Sequence, residues 1–562
     1  MSTRRSATAN RHRAQSFGAA AAALMVGTAP LWAAPPAAAI DPPAIDPAAL
    51  PPDGPPGPDQ PMRQGAYCTR VAVLPGTDFR VQPKYMDMLN LPAAWQFGRG
   101  GGVKVAVIDT GVEPHPRFTN LVGGADYVMG AGDGLSDCDA HGTIVASLIA
   151  AAPADGKAVF APRPRPPETV PTTEAPPPPP PPPPAQTVTV QVPAPPPSPP
   201  PPPPDAGGTA YSGGGSVVHA GYPGGGSFTS VDEPAPAPGP PPASLPADGF
   251  SGVAPDVQLI AIRQTSNAFS PKDAFADGQD PVTRQKAGDI RTMARAIVHA
   301  ANMGAQVINI SEVACISALN MIDQRDLGAA IHYAAVDKNA VIVTAAGNTT
   351  NTDCKQNLYD PLQPNDPRDW HDVTTVVTPA WFSTYVLTVG AVDSSGAPMK
   401  ELSMAGPWVS IAAPGTDIEG LSTHDDGLIN AVEGPQNQML APQGTSFATA
   451  IVSGVAALVR AKYPDLTSHQ IINRLIRTAR APARGVDNQI GYGIIDPVAA
   501  LTYDVPATDP QPPQRLSSPL SLAPPPAGRD MTPVWVALGG IGAALLVAGI
   551  VLGTASMMRS RR

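Results

Sequence analysis

Short, nearly unbroken apolar runs recur along the middle of the chain. Residues 103–108, 257–262, 307–310, 341–344 and 385–389 each read as a strand buried on both faces, because polar positions do not alternate with the apolar ones. Between them the period changes, and residues 288–302 and 326–338 carry apolar positions at helical spacing. Strands alternating with helices of this length imply an α/β fold, a mainly parallel sheet flanked by helices. Chemistry in such sheets gathers beyond the carboxyl ends of the strands. Asp109, Ser311 and Asn348 stand at three such ends.

Two further apolar stretches lie near the termini. Arg4, Arg5, Arg11 and Arg13 precede an apolar run over 17–32, and Ala37, Ala38 and Ala39 follow it, so residues 1–39 have the layout of a secretory signal peptide. Residues 534–555 carry no charge, span roughly 33 Å as a helix, and are followed by Arg559, Arg561 and Arg562. That pattern predicts one transmembrane helix over 533–556 and a basic cytoplasmic tail over 557–562, with the rest of the mature chain outside.

Composition sharpens the division. Of 74 prolines in 562 residues, 53 fall in 35–61, 152–247 and 505–533. These stretches are too poor in apolar residues to offset the entropy of ordering. The expected organisation is a proline-rich extension (40–79) wrapping a folded unit (80–503), a disordered proline-rich insertion inside that unit (152–247) and a proline-rich linker (504–532). The net charge of −10 comes without a basic stripe, which argues against a nucleic-acid partner. Cys68, Cys138, Cys315 and Cys354 fit an oxidising compartment. Three connectivities are open, and proximity favours Cys68 with Cys138 and Cys315 with Cys354. No C-x-x-C spacing supports zinc, and no cofactor or metal site is expected from the residues, with calcium left open because no acidic loop has convincing ligand spacing.

Four short motifs carry the candidate chemistry: Val107-Ile-Asp109-Thr-Gly111, Asp139-Ala-His141-Gly-Thr143, Gly444-Thr-Ser446-Phe-Ala448 and Ala346-Gly347-Asn348. Singly they are ambiguous. Asp-Thr-Gly also marks aspartic proteases, but those need two such loops, and Asp393-Ser-Ser-Gly396 is one residue too long. Gly-Thr-Ser before a helix is most simply an N-cap. Together, in the order Asp, His, Ser, they resemble the subtilisin-like serine proteases over 80–150 and 248–503. The resemblance implies a subtilisin-like fold and an Asp109–His141–Ser446 triad: a serine activated by an imidazole whose tautomer a carboxylate holds. It also implies Asn348 as an oxyanion donor. Four positions in three motifs depart from the family pattern. Ala450 replaces a proline, Ile144 replaces a histidine, and Ser311-Glu312-Val313 stands where Ser-Leu-Gly is usual, which makes Ser311 and Glu312 substrate-groove candidates.

Signal peptide, extension, Asp-His-Ser core, linker, single apolar helix and basic tail together resemble the mycosins, membrane-anchored subtilisin-like proteases of mycobacterial type VII secretion systems. The resemblance implies protein or peptide substrates and the membrane subunits of such a system as partners. It also implies a single-pass protein of the inner membrane, its protease domain periplasmic and its C-terminus cytoplasmic. Two roles follow: an endopeptidase trimming exported proteins, or chiefly a structural subunit whose proteolysis is dispensable.

Overall fold

The structure, a computed structural model, describes residues 40–130, 132–156, 159–160, 243–244, 247–272, 280–351, 353–357, 370, 373–483, 485–509 and 531–561. The expected signal peptide (1–39), most of the insertion and most of the expected linker lie outside the described residues.

Seven strands form one sheet: β1 (Lys104–Asp109), β2 (Leu121–Asp126), β3 (Gln258–Arg263), β4 (Val307–Ile310), β5 (Val341–Ala345), β6 (Val386–Val392) and β7 (Val409–Pro414). Their spatial order is β7-β6-β5-β4-β1-β3-β2, with every neighbouring pair parallel. The apolar runs of the sequence mark only the five inner strands. The edges are less legible: β2 contains Gly123 and Gly124 at a register irregularity, and β7 opens on Val-Ser.

Five helices flank the sheet: α1 (His141–Ala150), α2 (Pro281–Asn302), α3 (Arg325–His332), α4 (Thr445–Lys462) and α5 (Ser468–Arg477). Helix α2 begins earlier than its apolar spacing suggests, because Asp280 caps the first turn by accepting from the Thr283 N–H at 2.9 Å. Helix α3 stops at His332 and passes into a π-helical turn, Tyr333–Asp337, so the predicted helix over 326–338 is two kinds of turn in series.

The strand pleat sends alternate residues to opposite faces. Val105, Val107, Leu259, Ala261, Val307, Val341 and Val343 join a core with α1, α4 and α5. Ala106, Ile108, Ile260, Ile262, Ile308, Ile310 and Ile342 join a second core with α2 and α3. Each fully buried aliphatic side chain contributes about 1.5–3 kcal/mol, so a sheet covered on both faces must be apolar at consecutive positions.

Residues 40–79 run over the surface of this unit. Ile45 packs near Gly328 and Phe382. Asp53 meets His299 and Asn302, Arg295 donates to the Gly57 carbonyl, and Asp59 pairs with Arg291, all on one face of α2. Met62–Gln64 then pairs with Phe269–Pro271, and Val71–Ala72 with Ala431–Glu433. Disulfides join Cys68 to Cys138 and Cys315 to Cys354.

The insertion leaves and rejoins the fold at adjacent points. Val159–Phe160 pairs antiparallel with Ala243–Ser244, and the Asp248 N–H donates to the Ala154 carbonyl. Beneath this neck Arg117, 1% exposed, donates to the carbonyls of Ala152 and Phe250 and pairs with Asp248 at 2.8 Å. Near the C-terminus, α6 (Thr532–Arg559) has 28 residues and contains an 18-residue stretch with a mean hydropathy of 2.3. At 1.5 Å per residue it is about 42 Å long, enough to cross a hydrocarbon layer of about 30 Å.

Candidate active site

The sheet order places β4 between β1 and β5, so Asp109, Ser311 and Asn348 emerge side by side at one edge of the parallel sheet. Asp109 is the last residue of β1 and fully buried. Its Oδ1 lies 2.7 Å from His141 Nδ1 and also accepts from the Thr110 N–H at 2.7 Å. His141 opens α1, and the backbone before it turns through Ala140 at φ 61°. Gly142 is required by proximity: a Cβ there would overlap the Gly111 carbonyl.

Ser446 is the second residue of α4 and 6% exposed. Gly444 before it adopts φ 149°, a conformation that L side chains rarely take, and a Cβ there would crowd the Asn348 amide at 3.1 Å. Asn348 Oδ1 accepts from Thr445 N–H at 3.0 Å and from the Thr445 hydroxyl at 3.1 Å, which leaves its NH2 to donate elsewhere. The N–H groups of Ser446 and Phe447 have no acceptor within the helix, as in any first turn. The Ser446 hydroxyl donates to the Ser311 carbonyl at 3.2 Å and not to His141. Hydrogen bonds between a nucleophile and its base commonly tighten only with substrate in place. The Phe447 ring lies 5.4 Å from the His141 ring, so the starts of α1 and α4 face one another.

Several residues that the motif reading passed over hold this arrangement. Asp137, buried and four positions before His141, accepts from Thr143 N–H at 2.8 Å and the Thr143 hydroxyl at 2.6 Å. It also accepts from the Thr110 hydroxyl at 2.8 Å. One carboxylate thus caps α1 and ties it to the loop after Asp109. Burial, reinforced by the Asp139 charge, pushes the Asp137 carboxyl up to about 6, against the pull of those hydrogen bonds. The acid spaced before His-Gly-Thr was the available signal. A second polar chain runs from Ser453 through Asn309 to Ser311, whose hydroxyl donates to the Ser446 carbonyl at 3.2 Å.

Of the groove candidates, Ser311 touches Ser446. Glu312, half-buried, points toward the imidazole, with Oε1 3.5 Å from His141 Nδ1. Ala450 and Ile144, two departures from the family pattern, are both buried in the core that includes α1 and α4.

The sequence profile of the subtilase family matches residues 100–163 and 234–493. Mycosin-5 of Mycobacterium tuberculosis (strain ATCC 25618 / H37Rv) is 61% identical over 96% of each chain. Among solved structures, a chain of an intact ESX-5 inner membrane complex is 58% identical, with a TM-score of 0.67 over 92% of this chain and all of that one. The crystal structure of MycP1 from the ESX-1 type VII secretion system is 42% identical, with a TM-score of 0.65 over 84% of this chain and 99% of that one.

Proposed function

The chain belongs to the subtilase family and, within it, to the mycosins, and on that premise we propose that Ser446, His141 and Asp109 are its catalytic triad and Asn348 its oxyanion donor. The enzyme is a serine endopeptidase. The observation that carries the triad is the 2.7 Å contact between a fully buried Asp109 and His141 Nδ1. That contact reserves Nδ1 for the proton and leaves Nε2 as the base. His141 takes the Ser446 proton as Oγ attacks the scissile carbonyl, and returns it to the leaving amine. The oxygen made negative is met by the Asn348 NH2 and the free N–H groups opening α4.

A fluorophosphonate probe should attach to Ser446 in the full-length, detergent-solubilised protein, read by mass spectrometry of the modified peptide. Asn348→Ala should slow that reaction about 10²–10³-fold, the loss that removing one oxyanion donor causes in subtilisin. Attachment elsewhere, or an unchanged rate in Asn348→Ala, would contradict the assignment.

The substrates we propose are exported proteins, and the partners are membrane subunits of a type VII secretion complex. The similarity to a chain of the ESX-5 inner membrane complex, spanning all of that chain, supports this reading. Helix α6 would cross the inner membrane, with the sheet domain periplasmic and the Arg559–Arg561 end cytoplasmic. The same similarity favours a second, structural role, because subunit contacts need broad surfaces whereas hydrolysis needs one small site. Ser446→Ala deletes a single oxygen, so the complex should assemble with this variant and fail when the whole chain is deleted. Native gels of solubilised membranes decide it: collapse in Ser446→Ala equal to that of the deletion would refute the structural role.

A further inference from the structure

We propose that Glu312 is a second carboxylate of the imidazole centre, a positioning residue that favours the charged form of His141 and so sets the pH at which Ser446 becomes reactive. The proposal rests on the reading of His141 as the general base.

The geometry concerns a single nitrogen. His141 Nδ1 meets Asp109 Oδ1 at 2.7 Å and Glu312 Oε1 at 3.5 Å, so two carboxylates converge on it from the ends of adjacent strands, β1 and β4. The segment that carries Glu312 is pinned on both sides. Ser311 exchanges two hydrogen bonds with Ser446, its carbonyl accepting from the Ser446 hydroxyl and its own hydroxyl donating to the Ser446 carbonyl. Beyond Glu312, Ala314–Ser317 pairs with Thr375–Thr378, and Cys315 is bonded to Cys354. The backbone that carries Glu312 is thus held in place beside the ring.

The charges around the pair all have one sign. Asp109 faces His141 from β1, Asp137 from the turn before α1, and Glu312 from the segment after β4. Glu312 in turn feels Asp109, Asp139 and, from α2, Asp289. Among the described residues no lysine or arginine forms an ion pair with any of these acids. Burial disfavours the imidazolium, but the charge and hydrogen bond of Asp109, followed by the charges of Glu312 and Asp137, more than offset it and raise the ring's pKa. Burial likewise raises the Glu312 carboxyl, opposed by His141 and reinforced by the neighbouring acids.

The sign of the effect follows. Only the neutral imidazole accepts the serine proton, so any negative charge beside it shifts activity to higher pH. Neutralising Glu312 should move the acidic limb of the rate profile down by about one to three pH units, the range for one charge at this distance. On that limb each unit is a tenfold gain in rate. At the position where the family pattern carries leucine, this chain has a group that restrains its own base.

The test uses the full-length protein in detergent. The rate of fluorophosphonate labelling at Ser446 is measured from acidic to alkaline pH for wild type, Glu312→Gln, Glu312→Leu and Glu312→Asp. The two neutral variants should shift the limb to lower pH, while Glu312→Asp, which keeps the charge, should stay near wild type. In parallel, the Cε1 resonance of labelled His141, identified by its loss in His141→Asn, is titrated in Ser446→Ala with and without Glu312→Gln. Its midpoint should fall in the double variant. A limb and a midpoint that both stay put would overturn the proposal, as would a shift of equal size in Glu312→Asp. Absence of labelling at every pH would overturn the nucleophile assignment instead, and the imidazole midpoint would still decide the role of Glu312.

Discussion

Ser446→Ala is expected to abolish fluorophosphonate labelling, since no Oγ remains to be modified, while His141→Ala should slow it by about 10⁶ and Asp109→Ala by about 10⁴, the losses in turnover that the corresponding changes cause in subtilisin. The losses should not add. If Asp109, His141 and Ser446 form the proposed proton-transfer unit, Asp109→Ala combined with His141→Ala should be no slower than His141→Ala alone. The smaller loss for Asp109 has a structural reason, since it acts on the ring through Nδ1 and touches no reacting atom. Single-turnover labelling with the purified full-length chain measures all of this. Wild-type labelling in Ser446→Ala would remove the nucleophile from the mechanism.

Arg117→Ala is expected to cause the largest loss of stability, about 3–5 kcal/mol, because it strands a buried carboxylate. Asp248 is 13% exposed in its side chain and meets Arg117 at 2.8 Å. Burial lowers the Arg117 guanidinium from its ordinary value and raises the Asp248 carboxyl, as for a pair taken out of water. The substitution also removes the bonds to the Ala152 and Phe250 carbonyls and the stacking of the guanidinium on the Phe250 ring, 5.3 Å away. Lysine should rescue little, since one ammonium cannot reproduce a planar fork with several donors. Arg117→Met with Asp248→Asn should recover much of the loss, because no unpaired charge then remains. Thermal unfolding followed by circular dichroism reads the three variants, and an unchanged midpoint in Arg117→Ala would show that the neck of the insertion is held by other contacts.

How far the sequence was legible varies by feature. The five inner strands of the sheet were readable because burial on two faces forces consecutive apolar residues, as in Val105–Ile108. The edge strand β2 was not, since its partly exposed middle tolerates Gly123 and Gly124, and β7, though buried throughout, was not because Ser410 and Pro414 interrupt its apolar run. The start of α2 was hidden because its first turn, Pro281 to Arg284, buries nothing and depends on the Asp280 cap rather than on the core.

The sequence alone determined the α/β class, the candidate residues Asp109, His141, Ser446 and Asn348, and the apolar stretch that becomes α6. Each of these depends on a local pattern: a run of burial, a short motif ending an element, or a length of uncharged helix. Only the tertiary structure decided which groups meet. It set the groove candidate Glu312 beside His141 Nδ1, made Asp137 the tie between the Asp109 loop and α1, and brought Arg117 under both ends of the insertion. Those contacts depend on strand order and register, which arise from packing two cores against one sheet. A chain read one residue at a time does not carry the direction in which a side chain points once that packing is complete.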